Sequence, residues 1–474
     1  MSWLSAVLFL ILLQIAVILV LEYRRPAIFT AWTAIVLAVP FAGLILYVLI
    51  AQEYRTRRVI RDWRRARGPF LWPEQEKGRP AVRLEESVRE DSAFSRLYRL
   101  ADQLPFSRTT LRNEVEVYAD TAPLFEAMLH AMEQAEDHIH AEFFIIRDDE
   151  IGNRFKQLWI RKAKEGVSVR ILYDGVGCSR LKRAYLDELR RAGVEIKCFL
   201  PPLVALFDRQ INYRNHRKCV IVDGKVGFLG GANIGDEYLG KNPRLGYWRD
   251  TCVKIVGDAV YDLQRIFAAD WEFVSGKRLD SPMLFPEHRA SGTQRVQVIA
   301  SGPDSRYDPV LEVYFTMISL TQRRLWMETP YFIPDPALYM ALKTAAVSGV
   351  DVRVIIPGVP DKRFVYYASL SYLEELMAAG VKVYRFHKGF VHAKVIIADD
   401  AAASVGSANV DMRSFYTNFE LNVLVYDRNV IARLEADFLA DLKDCTEIRL
   451  EAFKRRPRLQ KWLEGAARLM SPLL

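Results

Sequence analysis

Two long apolar runs dominate the first fifty residues of the chain. Residues 3–21 and 27–50 carry no charged side chain, and only residues 22–26 separate them. Each run is long enough to cross a hydrocarbon core of about 30 Å as a helix. The pattern therefore predicts a transmembrane hairpin in residues 1–52. A cleaved signal peptide is the alternative for the first run, but a basic start is missing and a second run follows at once.

Beyond residue 112 the pattern changes to short apolar strands that alternate with helices, and it occurs twice. Strand, helix, Gly-Val turn and strand recur in the same order, which is typical of α/β units with crossover helices. The sequence therefore predicts an α/β fold of two duplicated domains, residues 112–290 and 291–474. The matched segments are 138–144 with 325–332, 166–172 with 349–355, and 186–194 with 373–381.

The positive charge of the chain is concentrated beside the apolar runs. Residues 1–67 contain nine arginines and three acidic residues, which accounts for +6 of the total net charge of +8. A basic cluster next to an apolar span is typical of membrane proteins rather than of nucleic-acid binding. The positive-inside rule places the remainder of the chain in the cytoplasm, as part of a multi-pass protein of the cell (inner) membrane. We interpret residues 53–111 as a basic juxtamembrane segment and linker.

Five cysteines lie far apart, with an odd count and no C-x-x-C pair. This distribution indicates neither a disulfide framework nor a zinc site, and it agrees with a reducing compartment. The cysteines are Cys178, Cys198, Cys219, Cys252 and Cys445.

Each repeat ends with the same unusual string of polar residues. One copy alone could arise by chance or hold a buried core histidine, but two copies at matched positions of a duplicated fold indicate a shared function. The spacing from His to Lys, Asp and Asn is identical in both. The first copy contains His216, Lys218, Asp223 and Asn233, and the second contains His392, Lys394, Asp399 and Asn409.

The residue types of the two strings suit phosphoryl transfer. Residues two apart on a strand share a face, so each His and its Lys are predicted to project into one cleft. Two ammonium groups and two amides fit an anion with several oxygens. One imidazole can act as nucleophile and the other as general acid and then base, because histidine titrates near neutral pH. This set requires neither a metal nor another cofactor.

The paired strings resemble the HKD motifs of the phospholipase D superfamily, in which two repeats form one active site. The resemblance implies that one of His216 and His392 forms a phosphohistidine while the other handles the proton of the leaving group, and we favour His216 as the nucleophile. It assigns the phosphate oxygens to Lys218, Lys394, Asn233 and Asn409. Asp223 and Asp399 complete the catalytic motif but are more plausibly structural. Asp250 and Glu420 lie where the superfamily places carboxylates that orient the histidines; an ordinary surface acid is the alternative for each.

Further segments resemble the bacterial cardiolipin synthase branch of this superfamily. The resemblance runs from about residue 110 to the end and includes the two-span N-terminus. It implies transfer of a phosphatidyl group between two phosphatidylglycerol molecules, with release of glycerol. Anionic membrane lipids are the expected partners, and the sequence leaves open whether the chain forms a homo-oligomer. The segments are 213–216, 233–238, 246–250, 329–335 and 411–415.

Three apolar segments outside the motifs are candidates for contact with lipid. Residues 200–207 and 364–367 could line an acyl groove, with buried loop packing as an equal alternative. The tail from Glu447 alternates basic and apolar residues and could lie on anionic lipid or dock on the domain.

Other functions stay open at the level of the motifs. A phospholipase D or a phosphatidylserine-synthase-like transferase would use the same residues with another acceptor. A nuclease is disfavoured because a membrane hairpin would hold the site away from most DNA and the domains carry little excess charge, so we expect no nucleic-acid partner. An inactive lipid-binding scaffold is disfavoured because both repeats keep His, Lys and Asn.

Overall fold

The computed structural model describes most of the chain. Two of the sequence predictions concern other parts: the basic juxtamembrane segment and most of the apolar segment 200–207 lie outside the described residues. The described ranges are 3–22, 26–50, 94–201, 213–287, 292–305 and 307–473.

The N-terminal residues form three helices rather than the predicted two. They are α1 (Trp3–Glu22), α2 (Pro26–Ala38) and α3 (Ala42–Ile50). The predicted second span is interrupted because Pro40 has no backbone N–H to continue a helix, and Phe41 adopts a left-handed φ of 67°. Among the described residues, no helix combines the length and apolar character needed to cross a bilayer. The prediction of a membrane-spanning hairpin is therefore not supported.

Part of the predicted linker belongs to the folded body. Helix α4 (Ser95–Asp102) buries Leu97 and Tyr98 in the apolar core of the second repeat. The ring of Tyr98 lies 4.3 Å, between centroids, from that of Tyr426. Residues 95–102 of the predicted linker therefore belong to the folded body, because their apolar side chains pack into the core of the second repeat.

The first repeat supplies seven of the eight strands of a mixed sheet. Strands β2, β3 and β4 are parallel and joined by crossover helices, whereas β6, β7, β8 and β1 are antiparallel. The strands of the first repeat are β1 (Asn113–Asp120), β2 (His138–Phe143), β3 (Ser168–Asp174), β4 (Glu195–Phe199), β5 (Arg214–Asn215), β6 (Cys219–Val222), β7 (Val226–Gly230) and β8 (Tyr247–Gly257), and β5 lies outside this sheet. The helices are α5 (Thr121–Glu133), α6 (Glu150–Lys164), α7 (Arg183–Arg191) and α8 (Ala259–Ser275).

The second repeat supplies eight of the nine strands of a second sheet, with the same order of elements, which confirms the predicted duplicated α/β fold. Its strands are β9 (Val296–Ser301), β10 (Arg324–Glu328), β11 (Asp351–Pro357), β12 (Lys382–Phe386), β13 (Gly389–Val391), β14 (Val395–Ala398), β15 (Ala402–Gly406), β16 (Asn418–Val425) and β17 (Cys445–Glu447). Its helices are α9 (Pro309–Leu320), α10 (Pro336–Val347), α11 (Arg363–Leu370), α12 (Leu373–Ala378), α13 (Met412–Tyr416), α14 (Arg428–Lys443), α15 (Leu450–Lys454) and α16 (Arg458–Leu469).

The two repeats exchange short strands. Strand β5 comes from the first repeat but pairs in parallel with β16 of the second sheet. Strand β13 comes from the second repeat but pairs in parallel with β8 of the first sheet. Each repeat therefore completes the sheet of the other, and the two sheets are fixed against each other on both sides.

Three apolar cores hold these layers together. One lies between the first sheet and helices α5, α6 and α7, and one lies between the second sheet and helices α4, α9, α10, α11 and α12. The third joins the two sheets to each other and includes α8 and α14, with Ile221 and Val253 from the first repeat and Ile397 and Val423 from the second. The repeats therefore share a continuous buried interface instead of forming two separate domains.

Candidate active site

Both motifs lie where the chain crosses from one sheet to the other. Residues 216–218 connect β5, in the second sheet, to β6, in the first. Residues 392–394 make the reverse crossing, from β13 to β14. The prediction that His and Lys share the face of a strand is therefore wrong in detail, because both histidines lie in irregular segments between strands. The two crossings bring the motifs together at the interface of the repeats.

Each imidazole is held by a carboxylate from the opposite repeat. The Nδ1 atom of His216 lies 2.9 Å from Oε2 of Glu420, and the Nδ1 atom of His392 lies 2.7 Å from Oδ2 of Asp250. Both carboxylates are fully buried. An ionised carboxylate only accepts hydrogen bonds, so each Nδ1 carries the proton and each Nε2 keeps its lone pair.

The backbone fixes the same crossed arrangement. The N–H of His216 donates to the carbonyl of Phe419 at 2.9 Å, and the N–H of His392 donates to the carbonyl of Arg249 at 2.6 Å. Phe419 and Arg249 directly precede the two carboxylate residues in the chain. The same strand pairing therefore positions both the histidine and the carboxylate that it contacts.

The two carboxylates are supported in different ways. Glu420 accepts hydrogen bonds from the hydroxyl of Ser407 and from the amide of Asn418. Asp250 instead accepts from the N–H of Thr251, at 2.9 Å. The first-repeat counterpart of Ser407 is Gly231, where an added Cβ would lie 2.0 Å from Oδ1 of Asp250. Glycine is required there because the carboxylate occupies the space of a side chain.

Aromatic rings cover both imidazoles. The ring of Phe144 packs edge-on against His216 at a centroid distance of 5.0 Å, and Trp248 lies 5.0 Å from His392. Phe144 also lies 5.4 Å below the ammonium of Lys218. These contacts reduce the access of water to the imidazoles, and 11% of each histidine side chain remains exposed.

The two lysines face the same buried space. Each ammonium donates to the carbonyl oxygen of its own histidine, at 2.6 Å for Lys218, and an ammonium has two further protons to offer. Burial lowers the pKa of Lys218 to about 7 and that of Lys394 to about 8. An anion bound between the two lysines raises both pKa values and so keeps the ammonium groups charged.

The lysines of both motifs contribute to the electrostatics of each histidine. Burial lowers the pKa of His216 to about 4, and the pKa is lowered further by Lys218 and by Lys394 of the other repeat. Burial likewise lowers the pKa of His392 to about 3, with contributions from Lys394 and from Lys218 across the interface. Both imidazoles are therefore neutral near pH 7 before a substrate binds.

The two asparagines occupy different surroundings. The side chain of Asn233 accepts from the N–H of Ile145 at 3.0 Å and donates to the hydroxyl of Tyr238 at 3.1 Å. The Oδ1 atom of Asn409 is buried without a hydrogen-bond partner among the described residues. A buried polar atom without a partner is costly, which marks Asn409 as a group able to turn toward a ligand.

The motif aspartates stand apart from the histidines. Asp223 accepts three backbone N–H groups, from residues 136–138, and Asp399 accepts three from residues 322–324, all at 2.8–2.9 Å. Both adopt a left-handed φ, 51° and 53°, in the hairpin turns after β6 and β14. The strand between each histidine and its aspartate is four residues long, which separates them by roughly 13 Å. These contacts support the structural role expected for Asp223 and Asp399.

Two buried arginines belong to the site but were not singled out from the sequence. Arg217, inside the first motif, pairs with Asp270 and donates to the carbonyl of Glu420 at 3.2 Å. Arg249 pairs with Asp441 at 2.6 Å and lies 3.6 Å from Glu328.

In the sequence, these two arginine–carboxylate clusters could have been found from a glutamate that occurs at matched positions of the two repeats. Glu142 and Glu328 occupy the same place in the duplicated strand, and burial raises the pKa of each to about 8. Arg217 forms its ion pair within the first repeat, whereas Arg249 of the first repeat pairs with Asp441 and lies near Glu328, both in the second. Only the packing of the repeats shows that second connection.

The predicted lipid-contact segments also have places in the structure. Residues 364–367 lie in α11, where Phe364 is exposed while Tyr366 and Tyr367 border a cavity. The tail folds into β17, α15 and α16. Phe453 of the tail is buried, but Leu459 and Trp462 are exposed.

Comparisons with known proteins agree with this geometry. A family model described as cardiolipin synthase, PLD-like domain, matches residues 128–271 and 314–442, which is more than half of the chain. A cardiolipin synthase of Alkalihalophilus pseudofirmus is 41% identical, with coverage of 100% of this chain and 95% of the relative. One of Geobacillus kaustophilus is 43% identical, covering 97% and 91%. The crystal structure of a phosphatidylserine synthase from Haemophilus influenzae shares the fold, with a TM-score of 0.61 and 15% identity over 81% of this chain and 100% of that one.

Proposed function

Because this chain belongs to the cardiolipin synthase family with phospholipase D-like domains, we propose that it transfers a phosphatidyl group between two phosphatidylglycerol molecules, giving cardiolipin and glycerol. The observation that carries the proposal is the crossed pair of imidazoles, His216 on Glu420 and His392 on Asp250, in a chain similar over its whole length to proteins named cardiolipin synthase. Two such imidazoles supply a nucleophile and a proton carrier at one phosphodiester.

In the first half-reaction Nε2 of His216 attacks the phosphorus and the P–O bond to glycerol breaks. His392 gives its proton to the departing glycerol oxygen. An anionic phosphodiester between the rings raises the pKa of both imidazoles, so the proton needed by His392 is taken up with the substrate. Lys218 and Lys394 hold the non-bridging oxygens, and the side-chain NH₂ of Asn409 donates to one of them.

In the second half-reaction the free hydroxyl of the acceptor glycerol replaces the departed glycerol. His392, now neutral, takes the hydroxyl proton while the oxygen attacks the phosphohistidine and the P–N bond breaks. Water in the same position would give phosphatidic acid. The rings of Phe144 and Trp248 disfavour that outcome because they cover the imidazoles with apolar surface and reduce the access of free water.

The reaction takes place at the membrane, because both substrates are lipids. Exposed apolar side chains on α1, among them Leu8, Phe9 and Leu12, support contact of the N-terminal helices with lipid. A cytoplasmic orientation of the catalytic repeats remains the prediction from the positive-inside rule.

The purified full-length chain, given phosphatidylglycerol as the only lipid, tests the reaction. We expect cardiolipin and glycerol in equal amounts, measured by mass spectrometry and by an enzymatic glycerol assay. Phosphatidic acid as the only product would indicate hydrolysis and contradict the proposal. Cardiolipin formed only after addition of a second phospholipid class would contradict phosphatidylglycerol as acceptor.

Trapping the intermediate tests the assignment of the nucleophile. With phosphatidylglycerol labelled in the phosphate, we expect a labelled, acid-labile protein adduct in His392→Ala and none in His216→Ala. An adduct that survives in His216→Ala would reverse the roles of the two histidines.

A further inference from the structure

Helix α16 carries its apolar residues on the side that faces away from the protein. Leu459, Trp462 and Leu463 are 71%, 79% and 43% exposed. Their spacing of three and four residues places them on one face of the helix. The opposite face buries Glu464 and Ala467 instead. This reversed pattern leaves an apolar surface that the described part of the chain does not cover.

Basic residues border this apolar face. Arg455, Arg458 and Lys461 are exposed next to it, and the buried Glu464 is neutralised by Arg456 at 2.7 Å. An apolar stripe with an aromatic residue and flanking cations is the arrangement of helices that lie in the interface of an anionic bilayer. A protein partner with a hydrophobic groove would not require the cations.

A cationic cavity opens beside the same helix. It has a volume of about 620 Å³ and is bordered by Tyr366 and Tyr367 of α11, by the β12 end, and by α15 and α16. Arg385, His387 and Arg449 line it, together with the acidic Glu447. None of the motif residues borders it.

Two of the lining arginines have no anionic partner within the described part of the chain. Among the described residues neither Arg385 nor Arg449 forms an ion pair, and the Nε of Arg385 is buried without a hydrogen-bond acceptor. Arg456, which also lines the cavity, is already paired with Glu374 and Glu464. Guanidinium groups in such a position match a phosphate, because their planar N–H donors bind two of its oxygens at once.

The helix is also connected to the N-terminal helices. The short turn Ser471–Leu473 that follows α16 packs against α2. The exposed apolar residues of α1 and of α16 therefore belong to neighbouring parts of the molecule.

We propose that the exposed face of α16 and the adjacent cavity form a docking surface for an anionic bilayer. Leu459, Trp462 and Leu463 insert among the acyl chains, while Arg385 and Arg449 bind the phosphate of a phospholipid headgroup. This surface is separate from the motif residues, so it holds the catalytic repeats at the lipid whether or not the proposed reaction takes place.

A photoreactive side chain tests the insertion. Trp462 is replaced by p-benzoylphenylalanine in the full-length chain, which is reconstituted in vesicles of phosphatidylglycerol and phosphatidylethanolamine and irradiated. We expect a protein–lipid adduct by mass spectrometry. The same group at Met283, which is 62% exposed on the first repeat, serves as control and should give at least tenfold less adduct. A cross-linked dimer in place of the lipid adduct would show that a second copy covers the face, and absence of any adduct would equally overturn the proposal.

Hydrogen exchange tests the cavity. The full-length chain in phosphatidylcholine nanodiscs receives dihexanoyl phosphatidylglycerol or inorganic phosphate at equal concentration. We expect the short-chain lipid, and not phosphate, to slow exchange in peptides covering β12 and α15. This protection should be lost in R385Q/R449Q, whereas motif-containing peptides should stay protected. Equal protection by phosphate would indicate a free-anion site, and no protection by either would remove the headgroup site; both results contradict the proposal.

Discussion

Replacing Glu420 by glutamine should impair the imidazole of the other repeat. Glu420 receives three donors, from His216, Ser407 and Asn418. An amide keeps one acceptor oxygen but presents an NH₂ group to at least one of these donors, so a charge-assisted hydrogen bond is lost. Such a bond contributes about 1.5–3 kcal/mol, which corresponds to a fall in kcat of roughly ten- to one-hundred-fold.

The same substitution has an electrostatic signature that identifies the crossed pairing. The Glu420 carboxylate opposes the effect of burial on His216, so its removal lowers the pKa of His216 further. The chain has seven histidines, which makes histidine-selective isotope labelling and NMR titration practical. We expect E420Q to shift the titration of His216 and to leave that of His392 within experimental error.

Two measurements separate this reasoning from a general loss of structure. E435Q is a matched control, because Glu435 pairs with Arg324 outside the site and a partly exposed pair contributes about 1 kcal/mol or less. It should retain kcat within about twofold. An E420Q enzyme with unchanged kcat, or one in which His392 is the histidine that shifts, would refute the crossed pairing.

Three further predictions concern neighbouring features of the site. G231A should lower kcat more than tenfold with little loss of folded protein, because the new Cβ would displace the Asp250 carboxylate that orients His392. G465A is the control, because an added Cβ at Gly465 meets open space, and a wild-type kcat in G231A would contradict the packing. The KM for phosphatidylglycerol should rise between pH 7 and 9. Lys218 and Lys394 have pKa values of about 7 and 8, so they lose their charge in that range while the phosphodiester keeps its negative charge. A KM that does not change with pH would contradict this. D223A should lower the free energy of unfolding by about 3 kcal/mol, measured with denaturant, by leaving three N–H groups without an acceptor, while kcat per folded molecule stays within about threefold.

Much of the fold and the residues of the site were predictable from the sequence, because duplication leaves a local record. The strands at 138–143 and 324–328 and the matched strings at 216 and 392 can be recognised without knowing how the halves pack. The sequence also indicated a structural role for Asp223 and Asp399.

Other features depend on contacts between residues about 150 or 200 positions apart. Strands β5 and β13 have two and three residues, too few for an alternating pattern, yet they carry the exchange that places His216 on Glu420 and His392 on Asp250. The same packing gives Glu328 and Asp441 an arginine from the other repeat, and it leaves the apolar face of α16 exposed. The sequence by itself determined which groups are present and how each half folds, because those depend on local periodicity and spacing. Only the tertiary structure decided which partners they meet, because partner choice depends on how two twisted sheets bury their common core.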